Sequence, residues 1–257
     1  MIIRDNGQEF IMIAQHEHGL LSGVIARHFQ KRFFLAPNRY EEVIVAISEH
    51  DRGWIKLDDT PIWNDAESVP FTFVDYPLLP KLAFYQFGIE EVEKLSPYAA
   101  LLCSLHFASF SDMLPSAPQE FTDFCKEEQN RQQQLKHRLG VVDESLLQAH
   151  FRLLQLCDDL SLYVCLNEPG AAKADEHPWF RSGFEKAKGF VSGGADLPVA
   201  RWIGAKEIAV SPPVFEHRFS ASLRAKHVPK PLIKELGIGR AYSETEWTEH
   251  EFIFSNG

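Results

Sequence analysis

Hydrophobic and polar positions alternate over residues 1–13, and the pattern switches to a helical period at Gln15. Asn6-Gly7 interrupts the alternation and predicts a tight hairpin, with Ile2-Ile3 set against Phe10 to Met12. From Gln15 to Lys31, Leu21, Val24, Ile25, His28 and Phe29 line one stripe of an amphipathic helix. Pro37-Asn38 starts a second helix, from Arg39 to about Asp51, closed by Gly53. Residues 52–87 hold four prolines together with Trp54, Trp63, Phe71, Phe73, Tyr76 and Phe84. They predict a long aromatic loop, and such loops inside compact domains are usually functional. Ser96-Pro97 caps a helix from Tyr98 to Ser111. Two further helices are expected, Ser116 to Leu139 and, from an Asp143 cap, to about Leu166.

The pattern changes again after Asn167. Residues 168–200 are rich in Gly, Ala and Pro, include Gly193-Gly194, and read as a mobile connector. Beyond them come short alternating runs: Trp202-Ile203, Ile208 to Val210, Phe215 to Phe219 and Glu251 to Phe254. The expected fold is therefore mainly α. A helical domain with an N-terminal hairpin spans residues 1–167, and the connector leads to a small β appendage, 201–257, packed on the same domain. The hairpin is a candidate to complete that small sheet.

Composition narrows the functional classes. With 257 residues and 45% hydrophobic content, 20 Phe among them, the chain can fill a sizeable core. Its formal charge of −10 argues against a nucleic-acid binder or an anionic-membrane binder, both of which need a basic face. A metal can still reverse the local field for a small anionic substrate. Cys103, Cys125, Cys157 and Cys165 form no C-x-x-C pair and read as buried thiols, not as a disulfide frame or zinc ribbon. The N-terminus has no signal-peptide core and no apolar run reaches membrane-spanning length, so a soluble cytoplasmic protein is expected.

Candidate chemistry centres on His50-Asp51, at the end of the second helix. Imidazole and carboxylate are both metal ligands, and a helix end can splay neighbours toward one cavity. His18, His106 and Asp158 lie on three other predicted helices in apolar surroundings. Side chains of these types pointing inward from several helices make a mixed N/O metal site. A buried Asp is costly unless paired or metal-bound, and Asp158 sits within an apolar helix. Taken singly, each residue has a plainer reading. His106 suits a hydrogen-bonded core histidine, His50 a helix C-terminus, and Asp159 a solvated helix face.

Together the stretches Gln15-His16-Glu17-His18, His50-Asp51-Arg52-Gly53-Trp54 with Asp58, Ser96-Pro97-Tyr98 with Ser104 and His106, and Cys157 to Leu162 resemble the HD-domain superfamily of metal-dependent phosphohydrolases. They are more similar still to an uncharacterised bacterial domain-of-unknown-function family with an HD-like core. The resemblance implies an HD-like helical bundle over the helical domain. It implies His18, His50, Asp51 and Asp158 as ligands of a divalent metal, Mn, Fe, Zn or Mg. His106 would be an extra ligand or a phosphate contact, and Asp51 and His106 the catalytic residues. Arg52, Trp54 and Ser104 are the candidate substrate contacts. The expected function is hydrolysis of a phosphate ester or nucleotide. The alternatives are a non-catalytic metal- or ligand-binding protein and a structural protein with core histidines. Expected partners are a small phosphorylated molecule or nucleotide and a second copy of the chain, but neither nucleic acid nor membrane.

Overall fold

A computed structural model describes residues 1–113, 116–191 and 197–257. The chain opens with β1 (Ile2–Asp5) and β2 (Glu9–Ile13), followed by α1 (Gln15–Arg27) and α2 (Tyr40–Glu49). A short α3 (Ile55–Asp58) and a two-residue ladder, β3 (Trp63–Asn64) with β4 (Val69–Pro70), precede four long helices. These are α4 (Leu78–Leu95), α5 (Pro97–Ala108), α6 (Gln119–Leu139) and α7 (Glu144–Leu166). The last part holds β5 (Val199–Trp202), β6 (Glu207–Ser211), β7 (Phe219–Pro229), α8 (Lys230–Leu236), α9 (Ile238–Glu244) and β8 (Trp247–Asn256). Gly193-Gly194, part of the expected connector, lies outside the described residues.

The fold is not the mainly α, HD-like bundle with a small sheet that the sequence suggests. A six-stranded mixed sheet, ordered β1-β2-β7-β8-β6-β5, is a principal layer of the molecule. β7 makes the difference. It runs for 11 residues and pairs antiparallel with β2 on one side and β8 on the other, joining the N-terminal hairpin to the C-terminal strands. Its inward positions alternate as Phe219, Ala221, Leu223 and Ala225 against exposed Ser220, Ser222 and Arg224. Alanine and serine differ little in hydropathy, so a strand built on them gives a faint period-two signal. β6 pairs with β8 in parallel, and the remaining partners are antiparallel.

The expected hairpin forms, with Ile3 opposite Met12, but through the four residues Asn6 to Glu9 between the paired Asp5 and Phe10 and not through a two-residue Asn-Gly turn. β2 is buried on both faces. Ile11 and Ile13 enter the main core, while Phe10 and Met12 enter a second cluster with Val228, Ile233 and Tyr242 beneath α8 and α9. α1 lies between β7 and the helices α2 and α7, and α5 packs on α2, α4, α6 and α7. α5 is buried from Tyr98 to Ser104, as an almost uniformly apolar helix should be. Its Ser96 hydroxyl accepts from the Ala99 amide, and Asp143 caps α7 in the same way.

The aromatic segment is shorter than the expected 52–87 loop, because α4 begins at Leu78. Pro77 and Pro80 look like helix breakers. They fall at the N-cap and in the first turn, where backbone N–H groups have no intrahelical partner to lose. Among the described residues no helix is long and apolar enough to cross a membrane.

Candidate metal centre

Two glycines bring the first two helices together. A Cβ on Gly19 would stand 2.9 Å from the Ser48 carbonyl oxygen, and one on Gly23 would stand 1.9 Å from Ser48 Oγ. No other side chain fits that crossing, so α1 and α2 approach closely and His18 meets His50. α2 ends at Glu49. His50 keeps a helical backbone (φ −56°, ψ −34°), while Asp51 (φ −99°, ψ 20°) turns the chain into a 3-10 turn over Arg52–Trp54. The bend lets two sequence neighbours face one point, which a straight helix does not allow. Asp158 comes from α7, and Ser161, one turn later on the same helix, meets α1.

Four ligand atoms converge. His18 Nε2 lies 3.2 Å from His50 Nε2, 3.1 Å from Asp158 Oδ1 and 3.5 Å from Asp51 Oδ2. His50 Nε2 lies 3.5 Å from each of the same two carboxylate oxygens. Two atoms bound to one ion at about 2.1 Å stand roughly 3.0 Å apart at a right angle and roughly 3.4 Å apart in a tetrahedron. The spacing of 3.1–3.5 Å fits that range.

Hydrogen bonding sets the tautomers. The Ser161 hydroxyl donates its one hydrogen to the His18 carbonyl at 2.8 Å, so it accepts from His18 Nδ1–H. His50 Nδ1–H donates to the Ile47 carbonyl at 2.8 Å. Both Nε2 atoms therefore turn lone pairs inward when the rings are neutral. Facing lone pairs flanked by carboxylates require a cation between them: a metal, or failing that a proton. His50 meets the second case. Burial alone would lower its pKa, but Asp51 and Asp158 raise it to about 9.

The surrounding groups share this electrostatic logic. Burial pushes Asp51 up against the pull of His50 and His18. For Asp158 burial is outweighed by the influence of the His18 and His50 imidazoles beside it, which holds it ionised well below the usual carboxylate range. Gln15 Nε2 donates to Asp51 Oδ2 at 3.1 Å and orients that carboxylate. Burial lowers His106 to about 3, so its ring is neutral. His106 Nε2 is 3.8 Å from Asp158 Oδ2, and its ring centroid is 5.2 Å from that of His50. The buried His106 Nδ1 and Gln15 Oε1 have no hydrogen-bond partner among the described residues. Orphaned polar atoms of this kind, beside a convergent donor set, fit a site built for a metal ion and a bound ligand. The buried His and Asp groups are positioned to hold a metal: His18, His50 and Asp51 form one triad, and His50, His106 and Asp158 another.

A cavity of about 640 Å³ adjoins the cluster. Gln15, His18, Asp51, His106 and Asp158 line its polar end. Phe73, Tyr85, Phe110, Phe121, Trp179, Phe180 and Phe184 line the rest, with Lys81, Lys186, Asp159 and Glu185. Burial pushes Asp159 up, Lys186 partly offsets this and Asp158 adds to it, leaving the group at about 7.

Thus all five sequence-chosen ligand candidates, His18, His50, Asp51, His106 and Asp158, come together. The three candidate substrate contacts do not line the cavity. Arg52 pairs with Glu49 at 2.8 Å. Trp54 is buried edge-on to Tyr76 and Tyr85. Ser104 accepts from Gln132 and faces α6. Sequence reasoning missed Gln15, Tyr85, Lys81 and Lys186. Gln15 stands one helical turn before His18 and was visible as a neighbour. Lys81 and Tyr85 belong to a helix read as loop, and Lys186 to a segment without periodicity.

A family model with the description Protein of unknown function (DUF3891) matches residues 1–230. No curated protein and no solved structure matches the chain.

Proposed function

The chain belongs to the DUF3891 family, and we propose that its buried His/Asp cluster binds a divalent transition metal and hydrolyses a phosphate ester. The observation that carries this reading is the convergence of the His18 and His50 Nε2 atoms, 3.2 Å apart, with the Asp51 and Asp158 carboxylates alongside. His18, His50, Asp51 and Asp158 hold the ion. Such an ion supplies Lewis-acid polarisation of a phosphoryl oxygen and favours ionisation of water near neutral pH. The order His18, His50-Asp51, Asp158 along the chain is the feature similar to HD-type phosphohydrolases. That residue order alone, without the HD-type bundle, which the six-stranded sheet replaces, is what favours phosphate esters as the substrate class.

The chain's own groups have separate tasks. Gln15 keeps the Asp51 carboxylate turned toward the cluster. Asp51 orients the attacking water by accepting its proton. His106, neutral and with its Nδ1 unpartnered among the described residues, holds an ester oxygen. Tyr85, whose hydroxyl burial keeps protonated, remains a hydrogen-bond donor at the cavity wall.

The test is turnover of p-nitrophenyl phosphate after chelation and resupply of Mn, Fe, Zn or Mg. At least one metal should restore hydrolysis, and Asp51→Asn should reduce it by roughly 100-fold or more, the scale of a lost acid–base group. Stoichiometric metal without turnover on any phosphate ester would remove the hydrolase reading and leave metal binding standing.

A further inference from the structure

The cavity beside the cluster carries an inference about what it accepts, and this inference rests on the metal-centre reading. Its wall beyond the cluster is apolar and largely aromatic: Phe73, Tyr85, Phe110, Phe121, Trp179 and Phe184. The apolar surface continues outward. Trp179 is 52% exposed and Val74 58%, and Trp179 stands edge-on to Phe73 with ring centroids 6.2 Å apart. A rim of exposed apolar groups over a deep apolar cavity suits a ligand with a sizeable hydrophobic body.

The charge along the lining limits the head group. Lys81 and Lys186 are its cationic side chains, set against the carboxylates of Asp51, Asp158, Asp159 and Glu185. Lys186 is 3.7 Å from Asp159. Lys81 donates to the Phe73 and Val74 carbonyls, each at 3.2 Å, which leaves one ammonium hydrogen for a ligand. No arginine lines the cavity among the described residues. One phosphate can be matched by a divalent ion and one lysine. A polyphosphate chain would meet an excess of carboxylates. Away from the cluster, among the described residues, the lining has no Ser, Thr or Asn side chain, and its polar groups are those of Asp159, Glu185, the two lysines, Tyr85 and Trp179. A nucleotide would bury ribose and base-edge groups that these few, mostly charged side chains do not pair in full, at a cost.

We propose that the site takes a phosphate monoester of a large apolar alcohol, aromatic or aliphatic, and discriminates against nucleotides. The phosphate sits at the His/Asp cluster and the apolar body lies between Phe73, Trp179 and Phe184.

Calorimetric titration of the Mn-loaded full chain tests this, with metal content and released phosphate measured on the same sample so that heat of hydrolysis is separated from heat of binding. The probes are 1-naphthyl phosphate, n-decyl phosphate, AMP, ATP, inorganic phosphate and 1-naphthol. At least one of the first two should bind ten-fold or more tighter than every other probe. A flat body is indicated if 1-naphthyl phosphate is the tighter, and a flexible chain if n-decyl phosphate is. Trp179→Ala and Phe73→Ala should erase most of that advantage and leave inorganic phosphate binding unchanged. Equal or tighter binding of AMP or ATP to metal-loaded protein overturns the inference and leaves the metal centre intact. So does 1-naphthol binding as well as its phosphate. A chain that takes up no metal overturns the metal reading, and this inference with it.

Discussion

At the scale of single residues, the chemistry turns on which hydrogen sits on which imidazole nitrogen. Ser161 matters because its hydrogen is spent on the His18 carbonyl, which makes it an acceptor and sends the His18 lone pair inward. Ser161→Ala should leave the fold intact and weaken metal binding by roughly 10–100-fold, the usual effect of losing a partner that orients a ligand. Titration of metal into stripped protein reads this directly. His50 gives a second prediction. Its pKa of about 9 means that near neutral pH metal must displace a proton. Calorimetry at pH 7 in buffers of different ionisation enthalpy should show release of about one proton per ion. Apparent affinity should rise up to about ten-fold per pH unit and level off near pH 9. Affinity independent of pH over that span would contradict histidine ligation. The ligand residues were legible in the sequence because a His-Asp dipeptide at a helix end is locally odd, and because a buried Asp158 needs a partner. Of the side chains that shape the cavity, Phe73 was legible in the aromatic segment, but Lys81, Tyr85 and Lys186 were not, since a lysine or tyrosine on a surface-like stretch carries no local sign of the cavity it faces.

At the scale of elements, the site depends on how closely two helices cross. Gly19 and Gly23 present bare backbone to Ser48, and that closeness sets the 3.2 Å between the imidazoles. Gly23→Ala places a methyl group where Ser48 already stands. It should destabilise the fold by about 1–3 kcal/mol, the range for overpacking, and lower metal affinity by ten-fold or more. Ser48→Gly in the same chain should recover part of both losses; additive losses would contradict a shared contact. Thermal melts and metal titrations of the four proteins give the comparison. Helices α1, α2, α5 and α7 were readable from caps and apolar stripes. The N-terminus of α4 was not, because a proline tolerated in a first turn looks the same in sequence as one that ends a helix. β7 was missed for the related reason that its small inward residues, Ala221 and Ala225, barely contrast with the serines beside them. The two-faced burial of β2, which places the sheet inside the molecule, follows from its pairing with β7 and cannot be seen before that strand is found.

At the scale of the whole molecule, α1, the end of α2 and α7 each supply groups to the cluster, so an ion there cross-links three helices around the core. Metal that binds the folded chain alone stabilises it by about 2.7 kcal/mol at a hundred times its Kd. The gain should depend on pH in a defined sense. Without metal, His50 is raised from 6.5 to about 9, so its stabilising charge is fully present below pH 6.5 and is lost as pH rises toward 9. The loss is on the order of 3 kcal/mol for a shift of this size. His106 acts in the opposite sense. Lowered to about 3, it refuses a proton that the unfolded chain accepts, so stability falls as pH drops below 6.5. The Tm of chelated protein should therefore decline from pH 6.5 to 9, and the gap to metal-loaded protein should widen over the same range. A constant gap would mean that His50 is not the group exchanged.

The most direct measurement is the metal content of purified protein, by elemental analysis, beside His50→Gln and Asp158→Asn variants shown by circular dichroism to be folded. A buried centre built from His18, His50, Asp51 and Asp158 predicts one divalent ion per chain in the parent and its loss in both variants. A folded parent that neither carries nor takes up a divalent metal, or variants that keep theirs, would contradict it.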